Sequence, residues 1–127
     1  GFRHNQEEFV NFAKVQLNIQ QNKRTEALEK LETLFDTNEI YIADMCRYQY
    51  AWLTFLQGDA ELTKMQLSEI KNETIFKELA HIFQAEILDY IDKDISASID
   101  HYLEFLELYP QSIYYDDVRL RLRELAS

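Results

Sequence analysis

Tyr102-Leu103-Glu104-Phe105-Leu106-Glu107-Leu108-Tyr109-Pro110 decides the fold. An apolar stripe at helical spacing runs into a proline, which cannot continue a helix because it lacks the N–H. The polar pair Gln111-Ser112 follows, and a fresh run opens at Ile113. The pattern of helix, short polar turn and helix recurs along the rest of the chain.

Working outward, the spacing predicts seven helices. The first covers roughly 5–21, with Phe9, Phe12, Ala13 and Ile19 inward, and ends at Asn22-Lys23. The second, 25–36, carries Ala27, Leu28, Leu31, Leu34 and Phe35 at intervals of three and four. Thr25 is its expected N-cap. The third, 39–57, is apolar nearly all round and is expected at the centre, with Trp52 buried. Gly58-Asp59 ends it, glycine serving as the left-handed cap. The fourth, 60–71, has a weaker stripe of Leu62, Met65, Leu67 and Ile70.

The fifth, 75–91, places Phe76, Leu79, Ala80, Phe83, Ile87, Tyr90 and Ile91 at helical spacing. Asp92-Lys93-Asp94 makes the next turn. The sixth, 95–109, has Ile95, Ile99, Tyr102, Leu106 and Tyr109 on one face and Asp100, Glu104 and Glu107 on the other. Ser112 is the expected cap of a seventh helix, 113–126. Its acidic start and later Arg119, Arg121 and Arg123 suit the helix dipole at both ends.

The chain has 127 residues, the size of one domain, and 46% hydrophobic and 13% aromatic residues, enough for a core. Two glycines and one proline are too few for the corners of a β fold. The lone Cys46 leaves no internal disulfide, and its apolar run predicts a buried, inert thiol. No apolar run approaches the ~18–20 residues that span a bilayer. The chain starts at Gly1 rather than Met, the start expected of a processed or excised piece, so the lack of a targeting signal says little about location.

The net charge of −10 weighs against nucleic acid and against anionic membrane surfaces. Residues 73–112 hold nine acids against Lys77 and Lys93. Most of the imbalance therefore lies in one third of the chain.

The breaks at Asn22, Gly58 and Lys93 recur at about the 34-residue period of helix–turn–helix repeats. Ala85-Glu86-Ile87-Leu88, the turn 92–94, Ile99-Asp100-His101-Tyr102 and Phe105-Leu106-Glu107-Leu108-Tyr109-Pro110 resemble a tetratricopeptide (TPR) motif. The tail from Tyr109 to Leu122 is similar to bacterial cell-envelope TPR proteins, of the outer-membrane assembly lipoprotein and Tol–Pal associated types. Lys23-Arg24-Thr25-Glu26-Ala27-Leu28 resembles the start of a TPR second helix, and Ala51 and Gly58-Asp59 fit the small residue and the turn of the next unit. Ser98 stands where Ala is usual, and the second unit lacks the Ala and Pro of its second helix. A degenerate TPR, or a helical repeat of another type, fits as well.

The resemblance implies an all-α, right-handed TPR-like solenoid over 1–127, with units at about 5–36, 39–71 and 75–109 and a capping helix at 113–126. It implies a non-enzymatic scaffold or adaptor that takes a peptide or partner helix in a concave groove. It also implies a bacterial source, with the periplasm or envelope as the setting; the cytoplasm stays open. The alternative is the structural C-terminal end of a longer helical-repeat protein, used in assembly or in a homo-oligomer.

His4, His81 and His101 lie in different helices with no metal-ligand spacing, so no metal is expected. No phosphate loop, nucleophile elbow or zincin motif is present, and neither catalysis nor a cofactor is expected. The pairs Glu86/Asp89 and Asp100/Glu104 read as solvated helix faces. In a TPR stack the first helix of each pair lines the groove. That places Tyr48, Trp52 and Phe55 opposite Glu86, Asp89 and Tyr90, a wall suited to a basic and apolar peptide. Core packing competes for each of these aromatics. Arg119 and Arg123 share one side of the helix and Arg121 lies nearly opposite, so they are read as partners of the dipole and of Asp116 or Glu124.

Overall fold

Polar turns divide the chain at nearly the expected places. The computed structural model describes residues 23–127, which form six α-helices and no strand. They are α1 (Arg24–Glu32), α2 (Ile40–Leu56), α3 (Ala60–Ser68), α4 (Ile75–Glu86), α5 (Ile95–Leu108) and α6 (Tyr115–Ala126). A π turn, Ile87–Ile91, continues α4. The expected helix at 5–21, its inward residues and His4 lie outside the described residues.

The caps explain the boundaries. Gly58 takes φ +87°, and Asp59 accepts a hydrogen bond from the Leu62 amide at 3.1 Å. Asp94 does the same for Ala97 at 3.2 Å. Each supplies an acceptor to a first-turn amide that has no partner within its helix. Two expected caps differ. Thr25 lies inside α1, whose cap position is Lys23 with no side-chain bond. Ser112 acts one turn early: its Oγ accepts from the Tyr114 amide at 3.0 Å, so α6 starts at Tyr115 rather than Ile113. α1 also stops at Glu32 and α3 at Ser68, because the following residues close tighter i→i+3 turns (Phe35 N to Glu32 O, 3.2 Å; Ile70 N to Leu67 O, 3.2 Å).

Lys93 occupies the left-handed region at φ 57°. That conformation costs an L-residue about 1–2 kcal/mol, and glycine avoids most of it. Lys93→Gly is therefore expected to raise stability by about 0.5–1 kcal/mol, after the entropic cost of glycine in the unfolded chain. Thermal unfolding checks this; a lowered midpoint would contradict it.

Packing proceeds in chain order: each helix contacts the next, and α2 also contacts α4. Three buried clusters follow one another. Ala27, Leu31, Met45, Cys46 and Leu53 join α1 to α2. Ala51, Leu67, Ile70, Ala80, Phe83 and Ile87 join α2, the α3 end and α4. Ala85, Tyr102, Phe105 and Val118 join α4, α5 and α6. Cys46 is buried, and burial pushes its thiol up to about 11, which removes thiolate at neutral pH.

α2 is not apolar on every buried side. Asp44, Gln49 and Thr54 are buried, while Ile40, Ile42 and Leu56 are exposed near its ends. Asp44 and Thr54 have partners, as burial requires. Asn72 Nδ2 and Thr74 Oγ1 donate to the Asp44 carboxylate at 3.1 and 2.7 Å, tying the α3–α4 connection to α2. The Thr54 and Thr63 hydroxyls meet at 2.9 Å between α2 and α3.

Candidate functional site

Contact between α2 and α4 sets two helix faces side by side, and a depression of about 410 Å³ lies along them. Tyr48, Trp52 and Phe55 come from α2; Leu79, Ile82, Phe83 and Glu86 come from α4; Ile87, Tyr90 and Ile91 come from the π turn; Tyr114 comes from the turn before α6. Phe83 is the floor. Its ring meets Phe55 edge-on at 5.2 Å, Trp52 at 5.4 Å and Tyr48 at 6.1 Å, while Trp52 stacks on Phe55 at 5.8 Å. Edge-on and offset contacts suit the ring quadrupoles and hold this wall in one arrangement. A second depression of about 230 Å³ shares Ile82, Glu86, Tyr90 and Tyr114 and continues to Tyr102, Asp117, Val118 and Arg121.

Trp52 was expected in the core. It is half-buried: one side packs against the cluster beneath, and the other lines the depression. Trp52→Ala is therefore expected to cost about 2 kcal/mol, below the ~3–5 kcal/mol of a fully enclosed aromatic. Urea unfolding followed by circular dichroism checks the figure; a loss above about 4 kcal/mol would return Trp52 to the core.

Five of the six expected residues (Tyr48, Trp52, Phe55, Glu86 and Tyr90) share this surface. Asp89 does not, and the reading of Glu86/Asp89 as one solvated face is corrected for it. Asp89 is 2% exposed. Its carboxylate accepts from Tyr102 Oη at 2.9 Å and from Arg121 Nε and Nη2 at 2.8 and 2.9 Å. The physical reason is its partners: Tyr102 from α5 and Arg121 from α6 satisfy the carboxylate in the interior, and Asp89 sits within the π turn, where side-chain spacing departs from the α-helical one. The Asp92 amide bonds to the Ile87 carbonyl at 2.9 Å, the i−5 partner that defines the π turn.

The Asp89 cluster ties α6 to the rest. Arg121 also donates from Nη1 to Glu124 at 2.9 Å, and its guanidinium lies 4.9 Å over the Tyr90 ring. The Arg121 hydrogen bonds hold the Asp89 carboxyl below its usual range, and burial together with Asp89 raises the Tyr102 phenol. Sequence reasoning paired the arginines with Asp116 or Glu124. Arg119–Asp116 and Arg121–Glu124 do form, but Arg121's contact with Asp89, in a different helix, left no local signal. Ile82 and Tyr114 were also missed. Ile82 had a signal, since it follows Tyr48 by about one 34-residue period.

Glu86 stands at the rim common to both depressions. No ion pair or hydrogen bond reaches its carboxylate among the described residues. Its carboxyl is raised, first by desolvation against the aromatic wall and then by the Asp89 charge. Burial pushes the neighbouring Tyr48 phenol up to about 12, with Glu86 adding to the effect. No model of a protein family matches the chain, and no curated protein or solved structure matches it either.

Elsewhere, His81 and His101 come together from α4 and α5, with ring centroids 5.5 Å apart and His81 Nε2 3.0 Å from the His101 carbonyl. Among the described residues no group of three or more His, Cys, Asp or Glu could hold a metal ion. The depressions themselves offer apolar surface, aromatic faces and carboxylates; among the described residues no Ser, Cys or His lines them.

Proposed function

We propose that this chain is a non-enzymatic protein-interaction module, a scaffold or adaptor of TPR-like repeats, that holds a peptide or partner helix on the α2–α4 surface. The observation that carries the reading is the convergence of Tyr48, Trp52 and Phe55 from α2 and Tyr90 from the π turn after α4 on one open apolar depression. Exposed apolar concavities of this kind, with a few polar groups at the rim, are characteristic of binding sites.

Repeat geometry supports the TPR-like part. Ala51 and Ala85, both fully buried, stand about 34 residues apart, and Ala27, Thr63 and Ser98, also buried, recur at roughly 35. Small side chains at fixed intervals let paired helices approach closely. The net charge of −10 favours protein partners over nucleic acid. No helix among the described residues is long and apolar enough to cross a membrane. The tail from Tyr109 to Leu122 supports a bacterial, cell-envelope setting by resemblance alone.

A second reading makes the segment the end of a longer helical-repeat array, used for self-association. Exposed Ile113 (86%) and Leu120 (56%) at the last helix favour it. Selection of a displayed random-peptide library on wild type and on Tyr90→Ala separates the two readings. Tyr90 is half exposed, so the variant keeps the core. Peptides that need Tyr90 support the module. A lack of such peptides, with dimers in light scattering that Leu120→Asp dissolves, supports the array.

A further inference from the structure

The binding-surface reading leaves the chemistry of the occupant open, and charge decides it. Among the described residues, Glu86 is the one charged side chain lining the first depression. The smaller depression adds Asp117 and Arg121, but Arg121 is engaged by both Asp89 and Glu124. Its positive charge is therefore more than balanced before it can serve Glu86. Lys77 and Lys64 are likewise committed, to Glu73 and to Glu61 and Asp92. Two carboxylates, Glu86 and Asp117, thus face a largely apolar groove with no cation of their own among the described residues.

The rings beside them accept cations. Tyr90 already carries the Arg121 guanidinium on its ring at 4.9 Å, and Tyr114 lines both depressions together with Glu86. An aromatic ring presents a negative face, so a cation between rings and a carboxylate is held by both. A peptide seated in the groove would cover the Glu86 carboxylate, a desolvation cost that a cation on the peptide offsets.

We propose that the groove is selective for a peptide that lays apolar side chains on Trp52, Phe55 and Phe83 and sets a Lys or Arg against Glu86. Glu86 is the specificity-determining residue, and the aromatic wall supplies contact area. A neutral apolar peptide leaves Glu86 desolvated and unpaired, and an acidic one adds repulsion, so both are rejected. This rests on the interaction-module reading above.

The test takes peptides enriched from a random displayed library on the wild-type chain and measures synthetic copies by fluorescence polarisation. The expected sequences contain Lys or Arg flanked by apolar residues and lose binding with Tyr90→Ala. Glu86→Gln is expected to weaken them about tenfold, the loss of one charge-assisted contact, and Glu86→Lys to shift selection toward Asp and Glu. Replacing the peptide's Lys by norleucine must cost a similar factor while leaving the protein untouched, which covers the case of a Glu86 variant with altered helicity. Peptides that need Tyr90 but lack Lys and Arg, and bind Glu86→Gln equally, overturn the specificity and leave the module reading intact. Absence of any Tyr90-dependent peptide overturns both.

Discussion

Arg121→Met is expected to lower the unfolding free energy well beyond the loss of a surface ion pair, although Arg121 is a partly exposed residue near the end of the chain. The substitution keeps much of the aliphatic stem and removes the bidentate partner of Asp89. Asp89 is almost fully buried, so its carboxylate would keep only the Tyr102 hydroxyl. An uncompensated buried charge is expensive, whereas a buried pair replaced as a whole is often neutral. The double variant Asp89→Leu/Arg121→Met should therefore recover most of the loss. Urea unfolding of the two singles and the double gives the coupling directly. A single-variant loss under about 1 kcal/mol would mean that the pair behaves as a surface salt bridge.

The same cluster sets an acid limb. The Asp89 carboxyl is held below its ordinary value, first by the Arg121 hydrogen bonds. A lowered carboxyl favours the folded state in its charged form. Its contribution is full above the unfolded carboxylate's pKa of about 4 and drains away as pH falls through the lower folded value. The double variant should lose this part of the acid sensitivity.

Phe105→Ala is expected to cost about 3–5 kcal/mol, because the side chain is completely enclosed between α4, α5 and α6. Two residues earlier on the same helix, Leu103 is 53% exposed, and Leu103→Ala should stay within about 0.5 kcal/mol. The contrast tests the rotational setting of α5. Equal losses at both positions would place α5 in a different register.

Much of this architecture was legible because it rests on local chemistry. Gly58 and Pro110 stop helices by backbone geometry, and Asp59 and Asp94 start them by capping. The stripe at Leu79, Ala80, Phe83 and Ile87 follows from helical period alone. Five residues of the depression were legible for the same reason: helical spacing along α2 and along α4 and its continuation sets their side chains on facing surfaces. What local pattern could not give was any contact made across the fold. The burial of Asp89 rests on Tyr102 and Arg121, partners from two other helices that no residue type near Asp89 announces. Asp44 is held inside an otherwise apolar stretch by Asn72 and Thr74, about thirty residues on, a pairing with no local pattern. Trp52 was ambiguous in principle, since a helix wrapped on three sides by α1, α3 and α4 still has an open side.

The central claim is that the surface between α2, α4 and Tyr114 receives a partner peptide. Trp52 is the only tryptophan, so a ¹⁵N-labelled sample gives one indole resonance in the middle of that surface. Titration with a library-selected peptide should move the Trp52 indole signal together with the amides of Glu86, Tyr90 and Tyr114, leaving Leu103 and Leu120 in place. Shifts confined to α6 around Leu120, with the Trp52 indole unmoved at saturation, would contradict the account.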